Sequence, residues 1–215
     1  MIVYTTVFGR TDPLHEPKVR GSARFVCFTD QPIESANWEM VRLPKQDAPT
    51  RASRLTKALS HIQFPEVEWT LWMDANFTLL VDPEDLKQHG EFVNFVHSER
   101  ERITDEAREI IRLGKAKPDT TRRQLAAYHA EGFDTDATPM TVLSCDGVIL
   151  RRHTDAVRAV NEAWAQELRT HTLRDQMSLD YVCWKQGLSL SRWPGSHKDN
   201  PYFHHTHYKR PVNDY

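Results

Sequence analysis

The chain has 215 residues, 39% of them hydrophobic and 27% charged, with a formal net charge of −2. That length and mix fit one ordinary globular domain with a real core and exclude a disordered or low-complexity chain. Near-neutral charge excludes a global pull towards nucleic acid or anionic membrane, and no apolar run approaches the ~20 residues needed to span a bilayer. In chain order, residues 2–8 and 24–29 are β-branched and aromatic runs bounded by Gly, Pro and Asp, which predicts buried strands, and 38–43 predicts a third. Residues 51–62 are helical by period, with Leu55, Ala58, Leu59 and Ile62 on one stripe. Strands follow at 69–73, 77–81 and 92–96, then helices at 105–113 and 121–131 joined by a polar connection. A strand at 147–151 leads into a helix at 155–172, with Val157, Val160, Trp164 and Leu168 on one face, and a last helix spans 175–186. Strands alternating with helices predict an α/β layered fold with ligands at the carboxyl ends of the strands.

The chain opens on a strand without a basic, apolar leader, so no secretory signal is expected. Cys27, Cys145 and Cys183 cannot all pair and lack metal-type spacing. They read as reduced core thiols of a cytoplasmic protein.

The chemistry concentrates at Trp69-Thr-Leu-Trp-Met-Asp74-Ala-Asn76, where a hydrophobic strand ends by presenting a carboxylate and an amide. Oxygen ligands side by side suit Mg2+ or Mn2+ with phosphate oxygens completing the shell, although Asp and Asn also form turns. Upstream, Val3-Tyr-Thr5-Thr6-Val-Phe-Gly9 with Asp12 is a strand entering a loop whose hydroxyls and backbone suit a nucleobase, or a first core strand and turn. Asp30 ends the second strand, placed for ribose hydroxyls or for a turn. Arg51, Arg54 and Lys57 share one helical ridge that suits a diphosphate or a solvated face. His97, Arg100 and Glu106 form a polar group that reads as an acceptor contact or a local ion pair. Asp175-Gln176 opens a helix, where an acid favours the dipole or, equally, a sugar's hydroxyls and developing positive charge. The tail His204-His205-Thr-His207-Tyr-Lys209-Arg210 gathers imidazoles, which are good Mn2+ ligands, with cations for phosphate.

This ordered set resembles the plant mucilage-related glycosyltransferase-like domain, a family with bacterial and phage members. The resemblance runs from Ile2 to about Val182. It is carried by residues 3–9, Cys27-Phe-Thr-Asp30, Arg54 with Lys57, Trp72-Met-Asp-Ala-Asn76, His97-x-x-Arg100, Ile103, Glu106-Ala107, Gly147 to His153, Asn161 with Trp164, and Arg174-Asp-Gln176. Ser98, Thr104 and Met177 depart from the family's usual Pro, Tyr and Leu, and the first two weaken an acceptor pocket around His97. The resemblance implies a single GT-A-like domain with a mixed, mostly parallel sheet flanked by helices. It also implies sugar transfer from a nucleotide-sugar, a UDP-sugar above all, similar to the retaining glycogenin-like enzymes.

By that likeness Asp74, Asn76 and His207 would hold Mn2+ or Mg2+, with His205 the substitute. Thr5, Thr6, Gly9, Asp12, Asp30, Arg54, Lys57 and Lys209 or Arg210 would bind the donor, and Asp175 and Gln176 would act at the transferred sugar. The tail from about residue 200 would close over the donor. The acceptor is open: a glycan, a small molecule, or modified bases of phage DNA met by Lys115, Lys117, Arg122 and Arg123. A metal-dependent hydrolase and a non-catalytic nucleotide-sugar or glycan-binding domain are the readings from other classes.

Overall fold

The computed structural model describes residues 1–9, 13–136 and 143–207. Strands β1 (Ile2–Val7), β2 (Arg24–Thr29), β3 (Glu39–Arg42) and β4 (Trp69–Met73) run parallel in the spatial order β3-β2-β1-β4. β7 (Ser144–Arg152) lies antiparallel between β4 and β6 (Phe92–Val96), and β8 (Ser191–Arg192) finishes the sheet parallel to β6. One reversed strand in an otherwise parallel seven-stranded sheet is the mixed GT-A-like arrangement expected from the sequence. All six residues of β1 and five of the six in β2 are buried, so these strands read as continuous apolar runs: both faces of the sheet are covered.

The two faces are covered differently. Helices α1 (Pro49–Ala58), α3 (Ile103–Arg112), α4 (Pro118–Ala130), α5 (Asp155–Thr170) and α6 (Leu179–Lys185) all pack on the face that presents Tyr4, Trp72 and Ile149. The opposite face, with Val3, Leu71 and Leu150, meets a two-stranded ribbon of β5 (Phe77–Leu79) and β9 (Phe203–His205), together with Leu86 of a 3-10 turn at Pro83–His89. α5 shows why the helical face holds. The Thr154 hydroxyl caps its start by accepting from the Val157 N–H at 3.3 Å, and Val157, Val160, Trp164 and Leu168 are all buried. Each such side chain contributes about 1.5–3 kcal/mol by leaving water.

Three expectations change. The helix expected at 51–62 stops at Ala58 and resumes as α2 (Ser60–Gln63), because the buried Arg151 guanidinium takes the Lys57 and Ala58 carbonyls that the next turn would have used. Ile62, placed on the apolar stripe by period, is therefore turned outward and 56% exposed. The helix expected at 175–186 splits at Ser178 into a 3-10 turn, Asp175–Met177, and α6. The strand expected at 77–81 leaves the main sheet and pairs as β5 with β9, which is too short to show in the sequence pattern. No helix among the described residues is long and apolar enough to cross a membrane.

Candidate active site

The carboxyl ends of β1, β2 and β4 open on the same edge, where a mostly parallel sheet presents its ligands. Trp72 and Asp74 are two residues apart and so share a face. The Trp72 indole donates to Asp74 Oδ1 at 2.8 Å, and Lys57 Nζ lies 3.7 Å from the same oxygen. Lys57 is 1% exposed and reaches Asp175 Oδ2 at 2.6 Å, and Arg54 meets that same oxygen at 2.8 Å. The α1 ridge thus delivers two of its three cations to one buried carboxylate. Arg51, the third, is exposed and reaches the Leu168 carbonyl at the end of α5 at 3.5 Å.

Asp175 is held from several sides. Its backbone carbonyl accepts from the Trp164 indole at 3.3 Å and from the Ser178 hydroxyl. Burial by itself would raise its carboxyl, but the charges of Arg54, Lys57 and Arg174 outweigh it and hold the group well below the usual carboxylate range. Asp175 is therefore not the first residue of an α-helix exploiting a dipole. It is the anion of a buried cluster. Gln176, half-buried beside it, accepts from Arg174 at 3.1 Å.

Arg174 also connects the residues read as an acceptor group. Glu106 is fully buried between Arg100, whose Nε donates to it at 2.6 Å, and Arg174 at 3.5 Å. The local ion pair is therefore present, and it continues to Gln176. His97 accepts the backbone N–H groups of Glu99 and Arg100 on Nδ1, and burial, then the Arg100 charge, pushes its ring down to about 4. Neither side chain stands free as a base. A groove of about 710 Å³ opens beside Arg100, lined by acids and arginines between Glu99 and Arg112, and neither Asp74 nor Asp175 lines it.

At the nucleotide end, Gly9 has φ of 62° and packs on Pro49, and its N–H donates to Asp30 Oδ1 at 2.8 Å. Asp30 also accepts from the Gln46 N–H at 3.0 Å and the Gln31 amide at 2.7 Å. Burial opposes these hydrogen bonds, but they prevail and lower its carboxyl. It thereby clamps the loops after β1 and β3. Thr6 bonds to Ser53 of α1 at 2.6 Å, while the buried Thr5 hydroxyl has no hydrogen-bond partner among the described residues. Asp12, Lys209 and Arg210 lie outside the described residues.

β9 brings the tail onto the Asp-x-Asn turn. Its pairing sets His205 opposite Phe77, with the rings stacked at 4.5 Å, and the Asn76 amide nitrogen lies 3.1 Å from His205 Nε2. The Asn76 carbonyl accepts the Thr206 N–H at 3.0 Å. His205 is thus the imidazole beside Asn76, whereas His207 is exposed with its ring 6.1 Å from that of His205. Among the described residues no three His, Cys, Asp or Glu side chains converge on a metal position. Asp74 and the Asn76 amide carry oxygen donors and His205 an imidazole, donor types that a hard cation takes, while His205 Nε2 lies against the Asn76 amide nitrogen.

The sequence reading missed Asp146. β7 carries it next to Gly147, whose carbonyl accepts the Asp74 N–H at 2.8 Å. A Cβ on Gly147 would sit 2.9 Å from the Phe77 ring, so β7 presses directly against the Asp-x-Asn turn. The only signal in the sequence was the Asp-Gly pair itself, which also reads as a turn.

A mostly parallel sheet with one reversed strand, an Asp-x-Asn at the end of β4 and a buried Asp175 with the half-buried Gln176 beside it make up a domain of the GT-A glycosyltransferase-like kind. The chain belongs to the TOD1/MUCI70 glycosyltransferase-like domain family, whose model matches residues 1–195. It is also 26% identical over 214 residues to the probable hexosyltransferase MUCI70 of Arabidopsis thaliana, a match covering 85% of this chain and 37% of that protein. The chain therefore spans well under half the length of that curated relative.

Proposed function

We propose that this domain transfers a hexose from a nucleotide-sugar, a UDP-sugar by family likeness, to a hydroxyl acceptor with retention at the anomeric carbon. One observation carries the reading: a buried Asp175 carboxylate is gripped by Lys57 and Arg54 while Lys57 also faces Asp74. In this reading Asp175 accepts hydrogen bonds from donor-sugar hydroxyls, and its negative charge favours the cationic character that grows as the glycosidic bond breaks. Gln176, oriented by Arg174, lies next to that centre. Arg54 and Lys57 offset charge on the departing diphosphate. The Thr6–Gly9 strand end and the Asp30 clamp shape the nucleoside side. Retention is favoured because Glu106 is committed to two guanidiniums and His97 to its own backbone, which leaves neither as an inverting base.

Asp74 and Asn76, with His205 or His207, would hold Mn2+ or Mg2+, which when bound supplies Lewis-acid stabilisation of the diphosphate. The acceptor we favour is a glycan or small molecule. A DNA acceptor is less supported because Arg122, one of the four cations read as a DNA-facing patch, is paired with Asp119 at 3.3 Å.

The test is a panel of nucleotide-sugars screened by thermal shift with and without Mn2+, followed by transfer assays. A true donor stabilises by about 2.7 kcal/mol at a hundredfold excess over its Kd. Asp74→Ala is expected to abolish the Mn2+-dependent shift and transfer, at a stability cost of about 1 kcal/mol for the lost indole hydrogen bond. Full activity in that variant rejects the site. Donor hydrolysis indifferent to every acceptor points to a hydrolase instead, and binding without turnover points to a binding domain.

A further inference from the structure

β7 does not run straight past the site. Its pairing with β6 passes from Asn94↔Ile149 to Phe95↔Cys145, so Asp146, Gly147 and Val148 have no counterpart on β6. Bulges of this kind re-aim side chains and recur beside active sites. Here the bulge lodges the Asp146 carboxyl inside the protein at 2% exposure. Oδ1 accepts from the Asn94 amide at 3.1 Å, and Asn94 is in turn held by Arg192, which also bonds the Ser144 hydroxyl at 2.8 Å. Oδ2 is buried with no hydrogen-bond partner among the described residues. The titratable groups facing it are Asp175 from the 3-10 turn, Lys57 from α1, Asp180 and Cys183 from α6, Arg192 from β8, and Cys145 and Arg151 of its own strand. β7 packs against the Asp175–Met177 turn, so a second carboxyl stands near Asp175, without an ammonium or guanidinium of its own at bonding distance in the described network.

We propose that Asp146 is a positioning residue for the Asp175–Lys57 pair: carrying a proton on Oδ2, it leaves the Lys57 ammonium to Asp175 and keeps the bulge under Asp74. This rests on the transfer reading above. The environment favours the protonated form: burial, then the Asp175 charge, pushes the Asp146 carboxyl up to about 8. When Asp146 ionises, its anion competes for Lys57 and repels Asp175, which weakens the grip on the residue that meets the donor sugar.

Two measurements on the full chain test this. The first is kcat/KM for donor turnover from about pH 6 to about pH 9.5. The wild type is expected to lose activity as pH rises through about 8. Asp146→Leu, which cannot bond Asn94, falls by about tenfold or more across the range. Asp146→Asn, isosteric and unable to ionise, recovers most of that loss and abolishes the alkaline fall. An alkaline fall that survives unchanged in Asp146→Asn overturns the proposal.

The second measurement is chemical denaturation between about pH 6.5 and about pH 8.5, above the range in which the buried histidines change the slope, and it does not depend on turnover. A carboxyl protonated when folded but ionised when unfolded makes stability decline as pH rises towards its native pKa. Asp146→Asn is expected to remove that decline, and Asp175→Asn, by removing the like charge, to shift it to lower pH. Unaltered slopes in both variants overturn the proposal. If the wild type turns over no donor at any pH, the transfer reading fails, and the denaturation slopes still decide whether Asp146 answers to Asp175.

Discussion

Asp175 is 3% exposed yet ionised, because three cations outweigh the burial that would otherwise raise its carboxyl. A carboxyl whose folded pKa is depressed adds stability above its unfolded value of about 4, and that contribution is lost as pH falls through the folded one. Near neutrality the contribution is complete. Asp175→Asn at pH 7 leaves the buried Lys57 ammonium with only the more distant Asp74 carboxylate at 3.7 Å, which is expected to cost about 3 kcal/mol in urea denaturation. It should also lower kcat/KM by orders of magnitude while nucleotide diphosphate still binds. A stability loss below about 1 kcal/mol would show that Lys57 does not depend on Asp175. At this scale the sequence was partly legible. The three-residue spacing of Arg54 and Lys57 put both on one ridge, and their residue types announced an anion. Their partner is 118 residues from Lys57, and no local pattern points to it.

α1 carries both cations, and its end is set by a residue from another element. Arg151, fully buried on β7, donates to the Lys57 and Ala58 carbonyls, to Asn161 Oδ1 at 2.7 Å and to the Tyr4 hydroxyl, with no carboxylate among these partners. Burial lowers its pKa, with Tyr4 and Asp146 opposing that shift in part. The planar fork meets divergent acceptors that a single ammonium cannot reach together. Arg151→Lys is therefore expected to cost about 2–4 kcal/mol through stranded acceptors. Thermal denaturation reads that loss, and an unchanged Tm would refute the role. Because the Lys57 backbone is released, KM for the donor should rise more than kcat falls. The α1 period was visible in the sequence, but its early stop was not: residues 51–62 keep a helical period, and only Arg151 arriving from β7 consumes the carbonyls that would extend it.

Across the whole molecule, three histidines bring a common acid liability. Burial is the main cause in each, with Arg100, Arg151 and His205 the next contributors, and the rings of His97, His153 and His197 are each pushed down to about 4. A histidine neutral when folded but charged when unfolded opposes folding as pH falls from about 6.5 towards 4. Near pH 5, each accounts for close to one proton taken up on unfolding. Stability, net of the proton that Asp146 releases on unfolding, is thus expected to fall by about 2–3 kcal/mol per pH unit there, measured as the pH dependence of the denaturation free energy. Asp146 works in the opposite direction and blunts the slope. A chain whose stability is flat from pH 6.5 to about 5 would contradict this arrangement of buried rings.

What the sequence determined by itself follows from local rules. Continuous apolar runs gave β1, β2 and β4, a 3.6-residue period gave α5, and a strand ending in Asp74-Ala-Asn76 marked the sheet edge. Family membership over residues 1–195 matches the motif order already visible there. Tertiary structure alone decided which side of the sheet the helices cover, that His205 rather than His207 meets Asn76, and that Asp175 faces Lys57. It also decided that Asp146 lies on a bulge beside them. Each of these depends on pairings between distant segments: β5 with β9, β7 with β6, and α1 with the turn after α5. Periodicity reports only which face of its own element a residue occupies, whereas burial and charge partners are set by the element that packs against that face.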